Sequence, residues 1–351
     1  MAPVARALTA GIGSVLLLAT LSGQAREPHK LGTFRQGTRD FVGVVVGETM
    51  VVDLSRADVK APPTLEALIA QWDAATANRL ARLAADARTS RPAYAIDLAQ
   101  VKTLPPIPDP DVILNAAVNY QEHAAEMKSA ATAAADPNAV APNVARGIPG
   151  IWARRPGDVR QNPYFFMKAK SAITGNGDPI LLPPDRPRID WECELTVVIG
   201  RTASRVTADR AADYIFGYTL QNDVSDRGGR PDGRHGSDWL IGKSHDTFAP
   251  LGPFVVPKAF VPNPQSLAIT FTLNDTVMQD SNTDRMTHTV FELVEYASHI
   301  MTLKPGDLLS TGSPAGVGTA RATPIYFKDG DISVCAIERI GTLRNPVKAL
   351  R

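Results

Sequence analysis

Two glutamates spaced two apart, Glu192 and Glu194, lie in a strand-like run over residues 189–200. Side chains alternate between faces along an extended strand, so both carboxylates point the same way, about 7 Å apart. Trp191, Cys193, Leu195, Val197 and Ile199 then form an apolar face on the other side. Carboxylates so placed repel each other unless water or a cation lies between them, and a half-exposed strand with solvated glutamates would read the same way. A second strand-like run over residues 214–223 puts Gln221 and Asp223 on one face by the same alternation. Together Glu192, Glu194 and Asp223 would offer a hard cation three carboxylate oxygens. That donor set suits Mg²⁺ or Mn²⁺, less often Ca²⁺, and not structural Zn²⁺, which prefers thiolate and imidazole. Asp223 alone would read as a strand-end turn residue.

Upstream, Asn119 reads as a helix N-cap, with Glu122 placed to close a capping box. In the helix that follows, His123 and Glu126 are i, i+3 neighbours able to hydrogen-bond. A carboxylate beside an imidazole fixes its tautomer, as a general base acting on water requires. A capped surface helix with an incidental ion pair would carry the same residues. Lys168 and Lys243 each end an apolar stretch. Three carboxylates around a divalent ion leave a net negative charge, so anionic substrates need nearby cations, which Lys168, Lys243 and Arg227 could supply. Their ordinary alternative is snorkelling at a sheet margin. Residues 311–318 are glycine-rich but lack the lysine of a phosphate loop; Thr311, Gly312 and Ser313 would instead offer hydroxyls and amides to a substrate carbonyl or carboxylate.

Several elements must position these groups. The chain has 351 residues and a formal net charge of only +1, from 37 Lys and Arg against 36 Asp and Glu. It carries no basic stripe of the kind a nucleic-acid partner needs. Arg6 precedes an uncharged stretch over residues 7–25 ending in Gly23-Gln24-Ala25. This is the pattern of a cleaved export signal rather than a membrane span, which places the mature protein outside the cytoplasm, in the periplasm or beyond. Residues 31–110 read as a small N-terminal α+β module with one helix over 65–84, and proline-rich residues 104–110 as a linker. Residues 111–351 form the main domain: short β-branched runs, one clear helix over 290–301, and no regular strand–helix alternation. The expected class is α+β and β-dominated rather than a doubly wound parallel sheet. An insert over 129–160, rich in Ala, Pro and Gly, is long enough to suggest a lid. Cys193 and Cys335 both fall in apolar runs and read as buried free thiols.

Taken in order, these segments resemble the fumarylacetoacetate hydrolase superfamily. Asn119, Tyr120, His123 and Glu126 match its Asn-Tyr-x-x-His-x-x-Glu segment; residues 192–200 match its Glu-x-Glu strand ending in Ile-Gly. Residues 222–227 match Asn-Asp-Val-Ser-x-Arg, 242–248 the Gly-Lys-Ser-aromatic-Asp run, and 311–318 the Thr-Gly-Thr-Pro-x-Gly-Val-Gly loop. Ala117 stands where a glycine is usual, and Asp226 and Ser313 replace more usual residues. The resemblance implies a mixed β-sandwich roll, usually as a homodimer, with Mg²⁺ or Mn²⁺ at Glu192, Glu194 and Asp223. It marks His123 with Glu126 as the water-activating dyad, Lys243 as a substrate-binding or catalytic residue, and Tyr120 within the pocket.

The expected activity is therefore metal-dependent hydrolysis of a carbon–carbon bond in a β-diketone or acylpyruvate-type keto acid. His123 and Glu126 would activate water, and Lys243 and Gln221 would steady developing oxyanion charge. A decarboxylase, keto–enol isomerase or dehydratase acting on a 2-keto acid is the alternative with the same site. From another class comes a catalytically silent exported binding protein.

Overall fold

The computed structural model describes residues 28–58, 60–134, 148–153, 155–229 and 238–350. The expected leader over 1–25 and the middle of the 129–160 insert lie outside them. β-Branched, apolar runs set the architecture. The main sheet runs, in spatial order, through Ala95–Asp97, Met50–Asp53, Arg39–Val46, Lys30–Gln36, Ala249–Pro257, Ile215–Asn222, Cys193–Ile199, Leu308–Ser310, Ile113–Ala116 and Phe165–Met167. A five-stranded sheet orders Thr276–Asn282, Ala268–Leu273, Ile332–Ile337, Gly341–Ala349 and Ile180–Leu182. Most neighbours are antiparallel, but Leu308–Ser310 runs parallel to Ile113–Ala116 and Gly341–Ala349 parallel to Ile180–Leu182. The fold is thus the sheet-rich mixed α+β arrangement expected.

The N-terminal strands extend the main sheet. Leu31 is registered against Val255, and its side chain shares a core with Val198 and Leu308. Helix Ala74–Ser90 supplies Leu80 and Ala84 to the same core. The helix expected over 65–84 is in fact two, Leu65–Ala70 and Ala74–Ser90. Asp73 breaks it by capping the second, its carboxylate accepting from the amide of Thr76 at 2.7 Å. Trp72, left between the two, meets Phe216 edge-on at 4.8 Å.

Between the two sheets lies the larger core, where Cys193, Leu195 and Val197 meet Phe271, Cys335 and Leu343. Trp191 stacks on Phe271 at 5.1 Å. Cys193 and Cys335 form a disulfide, which corrects the free-thiol expectation. The two strands face each other across the core with Cα atoms 5.5 Å apart, although 142 residues separate them in the chain. Among the described residues no helix is long and apolar enough to cross a membrane.

Candidate active site

Strand register assembles the carboxylates. Cys193–Ile199 pairs with Ile215–Asn222 so that Cys193 faces Asn222 and Glu194 faces Gln221. At the strand ends the amide of Asp223 donates to the Glu192 carbonyl at 2.8 Å, and the Glu192 amide to the Asn222 side chain at 3.0 Å. The result is three buried carboxylates, Glu192, Glu194 and Asp223, with one oxygen from each within 4.8 Å of the others.

Cations surround two of them. The Lys243 ammonium lies 2.8 Å from Glu192 Oε2, 2.5 Å from Asp223 Oδ2 and 2.7 Å from Ser225 Oγ. Lys168 reaches Asp223 Oδ1 at 2.5 Å. Arg227 spans Asp190 at 2.7 Å and Glu192 at 2.5 Å. Burial pushes the Glu192 carboxyl up, but Lys243, Arg227 and His123 more than offset it and hold it well below the usual carboxylate range. Burial pushes Lys168 down to about 8, with Asp223 opposing and Lys243 adding to the fall.

Glu194 is different. Burial, together with Asp223 and Glu192, drives its carboxyl well above the usual range. It accepts the Gly312 amide at 2.9 Å. The nearby Tyr120 hydroxyl, pushed up by burial and by Glu194, has no hydrogen-bond partner among the described residues, and neither does Gln221 Nε2. Three converging buried carboxylates, with orphaned polar atoms alongside, fit a hard divalent cation held by Glu192, Glu194 and Asp223.

The imidazole lies against this cluster. His123 Nδ1 is 2.7 Å from Glu126 Oε1, and Nε2 is 3.9 Å from Glu192 Oε1. The other Glu126 oxygen accepts the Gly316 amide at 2.9 Å. Helix Gln121–Ala134 places the two side chains one turn apart, as their spacing predicts.

Residues 112–348 match the family model described as "Fumarylacetoacetate (FAA) hydrolase C-terminal". The chain belongs to the fumarylacetoacetate hydrolase family. It is 35% identical over 297 residues to the mitochondrial oxaloacetate tautomerase Fahd2a of Rattus norvegicus, covering 85% of this chain and 83% of that protein. Its fold resembles the 5-carboxymethyl-2-hydroxymuconate delta-isomerase of Mycobacterium smegmatis, with a TM-score of 0.64, 30% identity, and 92% and 99% of the two chains covered. It also resembles maleylpyruvate hydrolase from Sphingobium sp. SYK-6 in complex with manganese(II) ion and pyruvate, with a TM-score of 0.66, 27% identity, and 92% and 100% covered. Fumarylacetoacetate hydrolase family members are enzymes, and hydrolases, isomerases and a tautomerase are all among these relatives.

The family's glycine-rich loop turns most of its polar groups inward. Thr311 Oγ1 donates to the Leu195 carbonyl at 2.9 Å, Gly312 donates to Glu194, and Ser313 Oγ accepts from Gln279 at 2.8 Å. Gly312 and Gly316 hold φ of 88° and 104°, and a Cβ on Gly316 would meet the Met278 carbonyl at 2.0 Å. Only glycine fits there. Gln221 Oε1 accepts from Asn115 at 2.9 Å and from Ser310.

Asn119 does not act as the expected helix cap. Its side chain donates to the His288 and Thr311 carbonyls at 3.0 and 2.9 Å and accepts the His288 amide at 2.9 Å. It ties three loops together instead, while Glu122 pairs with Arg285 at 2.7 Å. Asp226, one of the departures from the family pattern, pairs with Arg186 and lies 3.1 Å from His245.

Sequence patterns missed Gln279. Its side chain, 1% exposed, accepts the Cys193 amide at 3.1 Å and donates to Ser313 and to the Pro314 carbonyl at 2.8 and 2.7 Å. It thereby joins the glutamate strand to the loop that braces Glu194 and Glu126. Asp190 was also missed; it holds Arg227 and accepts the Thr319 amide at 2.8 Å.

Proposed function

We propose that this chain is a divalent-metal-dependent hydrolase of β-diketone keto acids of the acylpyruvate type. The observation that carries this reading is the His123–Glu126 dyad placed 3.9 Å from a carboxylate of the candidate metal site. A Glu126 carboxylate can only accept, so His123 donates from Nδ1 and leaves Nε2 as the basic nitrogen. A bound divalent cation would supply Lewis-acid polarisation of the substrate's keto and carboxylate oxygens.

His123 Nε2 takes a proton from water, whose oxygen bonds to the acyl carbonyl carbon. Collapse breaks the bond between that carbon and the pyruvate methylene, which keeps the electron pair. His123 returns its proton to the methylene carbon, which becomes the methyl group of pyruvate, and the acyl carbon leaves as a carboxylic acid. The free Nε2 of Gln221 is a donor available to developing oxyanion charge, and the Lys243 ammonium, its three protons held by Glu192, Asp223 and Ser225, would add positive charge nearby. Glu126, braced by Gly316, keeps the imidazole oriented throughout.

A second reading is favoured by the 35% identity to an oxaloacetate tautomerase. The same base would then move a proton between carbon and oxygen of a 2-keto acid without admitting water. Acetylpyruvate and oxaloacetate, each with Mg²⁺, Mn²⁺ or excess chelator, separate the two. Metal-dependent release of pyruvate and acetate supports hydrolysis. Metal-dependent enol–keto conversion of oxaloacetate without acylpyruvate cleavage replaces it with tautomerisation, and silence on both refutes the keto-acid reading.

A further inference from the structure

We propose that the cavity walled by Trp239 and Tyr164 is a subsite for a bulky apolar, preferably aromatic, acyl group. This rests on the keto-acid reading above and names the substrate class: keto acids with a hydrocarbon tail, not small diacids such as oxaloacetate.

Two stacked aromatic rings, Phe166 and Trp239, run from the candidate metal site to this cavity. The Lys243 ammonium, bonded to Glu192 and Asp223, lies 4.9 Å from the centroid of the Phe166 ring. The Trp239 indole stacks on that same ring at 4.8 Å, and Tyr164 continues the row 5.6 Å from the indole. Trp239 opens the helix Trp239–Lys243 that Lys243 closes, so the two side chains are one turn apart on one side of it. Asp238 fixes that helix by accepting the Leu240 and Ile241 amides at 3.0 and 3.2 Å.

Trp239 and Tyr164 wall a cavity of about 590 Å³ together with Val118, Asn119, Gln121 and Leu293. Val118, Asn119 and Gln121 belong to the segment that carries Tyr120 and His123, and Trp239 opens the short helix that ends at Lys243. The volume lies in the range of small-molecule sites. Among the described residues its lining includes no Lys, Arg, Asp or Glu. A second substrate carboxylate would find no lysine or arginine there, only His288 and neutral polar side chains, whereas a phenyl or alkyl tail would lose water against two aromatic faces. Those faces are open: Tyr164 is 54% and Trp239 36% exposed. Val118 also holds a left-handed backbone at φ 53°, a conformation that is costly for a β-branched residue and that clusters at binding sites.

The test compares kcat/KM for benzoylpyruvate and acetylpyruvate in the full chain with Mn²⁺, for wild type, Trp239→Ala and Tyr164→Ala. Calorimetric binding of phenylpyruvate, which lacks the cleavable carbonyl, against pyruvate gives a readout independent of turnover. Wild type should favour the phenyl compound in both assays by about tenfold or more, and each variant should cut that ratio severalfold. An equal preference in wild type, or a preference that survives both substitutions, overturns the subsite. So does a loss of pyruvate and phenylpyruvate binding in equal measure, which would make the aromatic row packing for Lys243. If wild type neither binds pyruvate nor turns over any acylpyruvate, the keto-acid reading itself falls and takes the subsite with it.

Discussion

The side chain of Gln279 accepts a hydrogen bond from the amide of Cys193, the residue between Glu192 and Glu194, at 3.1 Å. Its amide group donates to Ser313 and Pro314, in the loop whose Gly312 and Gly316 brace Glu194 and Glu126. Gln279 therefore couples the candidate metal carboxylates to Glu126, the partner of the candidate base, without touching either. Gln279→Leu should weaken Mn²⁺ binding and lower kcat, by no more than the roughly 10–100-fold that losing a direct hydrogen-bond partner of a ligand costs. Titration of Mn²⁺ into folded variant measures this directly; unchanged affinity with only a lower melting temperature would reduce Gln279 to packing.

Glu194 predicts a trade of stability against function. Its folded carboxyl is raised by burial, Asp223 and Glu192, so its contribution to stability is intact below the ordinary carboxylate pKa. That contribution is lost as pH rises through the elevated folded value. Above the ordinary carboxylate range this buried carboxyl is thus a burden on the metal-free protein. Glu194→Gln should melt higher than wild type in chelator at pH 7, with the gap closing toward pH 4, and should lose Mn²⁺ binding. A metal-free variant that melts lower than wild type at neutral pH contradicts this.

Gly316 tests the brace on Glu126. A methyl group there would meet the Met278 carbonyl at 2.0 Å, so Gly316→Ala must shift the loop and the amide that Glu126 accepts. The expected result is a fall in kcat of about tenfold or more with Mn²⁺ affinity largely kept, since orientation of the base is what changes. Wild-type kcat in a folded variant would show the brace to be dispensable.

The disulfide ties the glutamate strand to the second sheet across 142 residues. Thiol titration of denatured, unreduced protein should find no free cysteine among the two. The Cys193→Ala/Cys335→Ala double variant should lose about 2–5 kcal/mol of stability. Two titratable thiols would restore the free-cysteine reading.

Local periodicity carried much of the site. Alternation along one strand put Glu192 and Glu194 on one face, and helical spacing paired His123 with Glu126, because both relations span only a few residues. Gln279, the disulfide and the bridging of three loops by Asn119 depend on registers between distant strands, which no local pattern records. Asn119 shows the limit well: a good N-cap residue by type, it is drawn instead to the backbone of His288 and Thr311. Extension of the main sheet by Lys30–Gln36 was likewise hidden, since Leu31 meets Val255 only in the folded chain. The break at Asp73 was local and missed, because the apolar stripe runs across the cap.

The most direct test of the central claim is acylpyruvate cleavage by His123→Ala at saturating Mn²⁺, alongside its Mn²⁺ affinity. Turnover should fall about 10²–10⁴-fold with metal binding unchanged, as removal of a general base predicts. Undiminished turnover in a metal-loaded His123→Ala protein would contradict the dyad as the seat of the chemistry.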